Sequence, residues 1–150
     1  MSVEINVLSD SRLDSISSWQ RSLDAEGLPL RLAHDVLFDE DGGTLTAHLH
    51  DRPTSFQCWI EDPADLMSTY KNINFGHSWK YVVTFPWIAG FDELIAVWMA
   101  ATAYARATGG VVFDEQEGKL LTADESLQVV HDIERDLPQA EELARRLDGS

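Results

Sequence analysis

A chain of 150 residues of which 44% are apolar is long and apolar enough for one domain with a real core, which excludes an acidic disordered tail. Its 26 Asp and Glu against 11 Lys and Arg leave a formal net charge of -15 at neutral pH. That field repels nucleic acid, anionic lipid and phosphorylated ligands, and it attracts basic surfaces.

One cysteine, Cys58, cannot form an internal disulfide. Met1 to Asp10 has neither a basic nor an apolar leader pattern. The longest apolar run, Leu94 to Ala107, is too short and too polar at its flanks for a membrane span. These features predict a cytoplasmic protein that binds neither nucleic acid nor membrane.

Glu4 to Leu8 alternates and ends at Ser9-Asp10, which predicts a first strand. Ser11 is a candidate cap for a helix reaching Glu26, because Leu13, Ile16, Trp19 and Leu23 recur at three- and four-residue steps. Gly27 and Pro29 stop it, and Leu30 to Ala33 reads as a short strand. Asp39 to Gly43 is a turn sequence. Thr44 to His50 alternates, with Leu45, Ala47 and Leu49 on one face. Asp51-Arg52-Pro53 is expected to turn the chain into a returning strand, Thr54 to Ile60, with Phe56, Cys58 and Ile60 on one face.

Glu61-Asp62-Pro63 opens a short helix near Ala64 to Tyr70. Trp79 to Phe85 is a strand with Trp79, Tyr81, Val83 and Phe85 on a common face, and Pro86 is expected to end it. Gly90 to Thr108 is apolar nearly all round and therefore a buried helix, stopped by Gly109-Gly110. Val111 to Phe113 and Lys119 to Thr122 form a hairpin. Thr122 and Glu125 have the spacing of a capping box. The terminal helical segment, Ala123 to Leu147, is expected to break before Pro138. Helices collected on one face of a mostly antiparallel sheet make a single α+β domain over residues 1–150. A ferredoxin-like variant with a C-terminal helical addition is the nearest simple topology.

No residue constellation names a reaction. His48 and His50 are two apart on a strand, so their imidazoles could converge on a metal, with Asp51, His34 or His77 as a further ligand. The same alternation equally makes them the polar side of a half-exposed strand, and that reading is favoured. Cys58 shares the apolar face with Phe56 and Ile60, where a thiol is a small hydrophobe rather than a nucleophile. Acidic pairs are so common here that none singles out a general acid or base. The residues therefore indicate no catalytic group, no metal and no cofactor.

What remains is a binding surface. Asp39, Glu40, Asp41, Glu61, Asp62 and Asp65 are its acidic candidates, and Trp59 and Trp87 its aromatic anchors, because interfaces favour Trp and Tyr at their centres. Two other readings stay open: a small-molecule or metal site in the sheet–helix cleft using His48, His50 or His77, and a homodimeric adaptor built on the aromatic patch.

Three segments carry a resemblance. They are Leu13 to Gln20 continuing to Asp24-Ala25-Glu26-Gly27, then Ser55-Phe56-Gln57-Cys58, and Ala103 to Gly118. Together they resemble small acidic bacterial proteins found beside polymorphic or contact-dependent toxins, where such proteins serve as immunity proteins. The resemblance implies a cytoplasmic, non-enzymatic protein that neutralises a basic partner, a cognate toxin, by binding it.

Overall fold

The computed structural model describes residues 3–33, 42–87 and 90–148. In chain order the elements are β1 (Val3–Ser9), α1 (Ile16–Ala25), β2 (Leu30–Leu32), β3 (Gly42–Leu49), β4 (Arg52–Glu61), α2 (Pro63–Thr69), β5 (Tyr81–Trp87), α3 (Phe91–Thr108), β6 (Val111–Asp114), β7 (Lys119–Leu121) and α4 (Ala123–Asp148). The strands form one antiparallel sheet in the order β2-β3-β4-β5-β1-β6-β7. Its middle is the predicted ferredoxin-like core. β1-α1-β4 and β5-α3-β6 are two crossover units, and each places its strands on either side of a strand from the other. The β2–β3 pair extends one edge, and β7 with α4 extends the other.

One face of the sheet packs against the long helices. Ile5, Val7, Phe56, Cys58, Val83 and Phe85 meet Trp19 and Leu23 of α1, Ile95 to Ala105 of α3 and Val130 of α4. Trp19 sits edge-on to Phe56, Phe85 and Tyr104, and its indole N–H donates to the Ala100 carbonyl at 3.0 Å. The buried Gln20 amide donates to Leu30 O and accepts from Leu32 N, so α1 holds the edge strand β2 directly. The buried hydroxyls of Thr102 and Ser126 pair α3 with α4. Gly109 takes the left-handed conformation that stops α3, with φ 69. A Cβ on Gly110 would lie 2.3 Å from the Leu8 carbonyl oxygen, so glycine is required where α3 returns to the sheet.

Among the described residues, the opposite face is only half covered. α2 and the segment after it lay Leu66, Met67, Tyr70, Ile73, Phe75 and Trp79 over Leu8, Val82 and Phe113. That cover spans β5, β1 and β6. So the helices are not all on one face: α2 lies across the sheet from the other helices.

Several boundaries differ from the sequence expectation. α1 begins at Ile16 because Ser15, not Ser11, caps it: the Ser15 hydroxyl accepts from Ser18 N at 3.0 Å. The β3–β4 turn is His50-Asp51, both with positive φ (50 and 66), rather than Asp51 to Pro53. A two-residue turn of that kind matches the twist of the strands it joins. Pro53 then sits inside β4 opposite His48. It is tolerated because β4 pairs with β5 only through Trp59 to Glu61, leaving that flank of β4 without a ladder. β5 likewise continues through Pro86, which pairs with Glu4, to Trp87. Trp79 precedes β5 and joins the cluster on the half-covered face, so it does not share a face with Val83 and Phe85. α4 runs unbroken through Pro138. A proline removes one helical hydrogen bond and bends the axis without ending it, and the strong helix formers from Gln139 to Leu147 carry the helix on. The predicted turn at Asp39 to Gly43 lies mostly outside the described residues; Gly42 and Gly43 open β3.

Candidate functional site

The uncovered half of the second face is built by β2, β3 and β4. Register puts Thr44, Thr46, His48, Ser55, Gln57 and Trp59 on it. Trp59 is the prominent side chain: it is 40% exposed and lies in one row with Thr84 of β5 and Asn6 of β1. Glu61 is two residues along β4 and faces the same side. Asp62 caps α2, its carboxylate accepting from Ala64 N at 2.9 Å, and Asp65 stands exposed in the first turn of that helix. Trp59, Glu61, Asp62 and Asp65 thus gather at the seam where α2 leaves the sheet.

Trp87, the remaining described member of the expected site, does not join them. Trp87 shares its register face with Phe85, on the helix-packed side, and its indole N–H donates to the Gly90 carbonyl at 2.8 Å. It fastens the entry to α3 and is half-buried. Asp39, Glu40 and Asp41 lie outside the described residues, as does His34.

The histidines do not converge. His48 faces out from the open half-sheet. His50 is carried round by its turn, and its Nε2 lies 2.7 Å from Glu134 Oε2 on α4. His77 pairs with Asp10 at 2.8 Å and stacks on Trp79. Among the described residues, no group of three or more His, Cys, Asp or Glu side chains is arranged to hold a metal ion. Cys58 is fully buried, and burial pushes its thiol up to about 12, which removes the thiolate a nucleophile needs.

Clefts open to solvent are also lined by described residues. One of about 610 Å³ lies between β4 and the start of α3, with Thr54, Phe91 and Asp92 in its wall and the Arg52–Asp92 ion pair beside it. Another of about 260 Å³ lies beside β2, lined by Asp24, Arg31, His48 and His50. The wall of the first carries the carboxylates Asp92 and Glu93, and that of the second carries two imidazoles with the Asp24 and Asp51 carboxylates.

Register also assembles a cluster that the sequence does not advertise. Glu4 and Asn6 of β1, Thr84 of β5, Glu61 of β4 and Glu115 after β6 share the second face, with Tyr70 reaching down from the segment after α2. The Tyr70 hydroxyl donates to Glu115 Oε1 at 2.9 Å. The Thr84 hydroxyl lies 2.9 Å from Asn6 Oδ1 and 3.5 Å from Glu61 Oε2. The Glu115 backbone N–H donates to the Glu4 carbonyl at 3.4 Å, which sets the two side chains beside each other on this face. The Glu4 carboxyl is pushed up to about 7, first by burial, then by its contact with the Glu115 carboxyl and the charges of Glu115 and Glu61. Burial, followed by the Glu115 contact, also raises the Tyr70 hydroxyl. Asn6 is only 1% exposed, and its amide nitrogen has no hydrogen-bond partner among the described residues. The one hint in the sequence is that Glu4 and Asn6 alternate with Ile5 and Val7. Only the register adds Glu61, Thr84 and Glu115.

Comparison with known proteins finds no family model that matches this chain, no similar curated protein and no similar solved structure.

Proposed function

We propose that this chain is a non-enzymatic binding protein that meets a basic protein with the open half of its sheet, and that it is an immunity protein neutralising a cognate bacterial toxin. The observation that carries this reading is Trp59. A large indole left 40% exposed on an uncovered sheet surface, with Glu61, Asp62 and Asp65 beside it, has the composition of an interface centre. The net charge of -15 adds long-range attraction for a cationic partner and speeds encounter. Asp39, Glu40 and Asp41, which lie outside the described residues, are proposed to contribute to the same contact on the strength of their charge in the sequence.

The test is direct binding to the products of the genes that flank this one, measured by surface plasmon resonance at low and moderate salt. Trp59→Ala is expected to weaken that complex by tenfold or more while leaving the melting temperature within about two degrees, since an exposed side chain contributes little to folding. Added salt is expected to slow association more than it speeds dissociation. Absence of binding at both salt concentrations would sink the proposal.

A further inference from the structure

The sheet ends on one side at β2, and an unpaired strand edge is a template for another strand. The direction of its peptide groups follows from the bonds at its two ends. His50 N donates to Pro29 O and Ala33 N donates to Thr46 O, both at 3.1 Å, so residues 29, 31 and 33 turn their peptide groups to β3. Alternation then turns the peptide groups of Leu30 and Leu32 outward, off the end of the sheet. Gln20 of α1 meets them there. Its amide nitrogen donates to Leu30 O at 3.0 Å, and its amide oxygen accepts from Leu32 N at 2.7 Å. A carboxamide carries the donor and acceptor of a peptide group, so this one side chain makes two bonds that an added strand would make.

The side chain is fixed in that place. Gln20 is only 5% exposed. Its second amide N–H donates to Asp24 Oδ1 at 2.9 Å, one helical turn on, which leaves the nitrogen toward Leu30 and the oxygen toward Leu32. The neighbourhood is nevertheless within reach of other molecules: the cleft of about 260 Å³ has Gln20, Leu30 and Arg31 in its wall.

We infer that Gln20 is a stopper on the β2 edge, which keeps a second copy of this chain from pairing its own β2 there. The inference goes beyond the proposed partner and does not depend on it. The strand kept out is that of a second copy because the edge is self-complementary. A twofold axis through Arg31 sets Leu30 of each copy against Leu32 of the other, antiparallel like the neighbours already in the sheet, and continues the apolar face on which both leucines lie. Charge opposes the same pairing, since it brings Arg31 against Arg31 and each copy carries a net -15. Salt removes that opposition and leaves the bonds of Gln20 in place.

The experiment is sedimentation velocity of the full chain and of Gln20→Met over a concentration series, in about 0.5 M salt, where repulsion between surfaces is screened to a few ångströms. Met keeps the length and the apolar stem and removes the amide donor and acceptor. The unaltered chain is expected to stay monomeric throughout, and the variant to form a dimer at least about tenfold tighter. An unaltered chain that dimerises as readily, or a variant that stays monomeric with an unchanged far-UV circular dichroism spectrum, overturns the inference. Hydrogen exchange reads where the copies meet: the outward Leu30 amide of the variant is expected to slow by about tenfold or more as the dimer forms. Unchanged exchange there means that the copies meet elsewhere, which also overturns it. A further measurement needs no variant. In the unaltered chain the Leu32 amide is expected to exchange as slowly as that of Ala33, which bonds within the sheet, and free exchange at Leu32 defeats the stopper.

Discussion

The two faces of the sheet solve opposite problems. On the helix-packed face, every strand contributes apolar side chains, and the polar groups that enter, such as the Trp19 indole, the Gln20 amide and the Thr102–Ser126 hydroxyls, all find partners. Among the described residues the cover of the other face stops partway, and at its margin lie an exposed indole, a carboxyl whose proton is held up to about 7 and an amide nitrogen with no acceptor. The first arrangement is what stability alone selects. The second forgoes stability at one place, and such places are where a second molecule has something to add.

The sharpest way to break the covered face is Trp19→Ala. It empties a site bordered by Phe56, Phe85 and Tyr104 and removes the indole's bond to the Ala100 carbonyl. A loss of about 4 kcal/mol is expected, read from the denaturant midpoint. A loss below about 1 kcal/mol would mean that Trp19 is not the keystone of that face.

Much of that face is legible from residue order. Alternation in Leu45, Ala47 and Leu49, and in Phe56 and Cys58, marks the buried sides of β3 and β4. The capping box is also readable, and its reciprocal bonds are present: Thr122 N to Glu125 Oε1 at 3.0 Å, and Glu125 N to the Thr122 hydroxyl at 3.1 Å. Local signals mislead where a distant partner decides. Pro53 and Pro86 look like strand breakers until the missing β4–β5 ladder shows that neither is asked to donate across it. Trp59, Glu61, Asp62 and Asp65 could be nominated in advance because they are neighbours in sequence. Glu4, Thr84 and Glu115 could not, because strand order is fixed by packing rather than by any local pattern.

A smaller change sharpens the description of the half-covered face. Glu4 holds its proton more tightly in the folded chain, at about 7 against an ordinary 4.5. The native state therefore binds more protons than the unfolded state between those values, and stability falls as pH rises through that window. The penalty is absent below the ordinary value and complete above about pH 7. Glu4→Gln keeps a donor toward Glu115 and removes the charge. It is expected to stabilise the protein at pH 8 by on the order of 1 kcal/mol, discounted for the partial exposure of Glu4, and to have almost no effect at pH 4.5. Thermal melting at the two pH values reads the difference, and an equal effect at both would show that folding does not raise the Glu4 carboxyl.

The smallest expected effect belongs to neither face. Asp51 carries a left-handed backbone, φ 66, in the β3–β4 turn. Asp51→Gly is expected to add about 0.5–1 kcal/mol by relieving that conformation. A destabilisation would reveal that the Asp51 carboxylate makes a contact worth more than the strain.

The placement of β1 has a consequence for synthesis. Val7 is made well before Val83 and Val112, yet it lies between them in the finished sheet. Until both later strands have left the ribosome, the N-terminal strand has neither neighbour, and its Ile5–Val7 side has no core to enter. Assembly of this domain therefore waits for most of the chain, and a translational pause anywhere before β6 leaves an apolar strand in search of a mate.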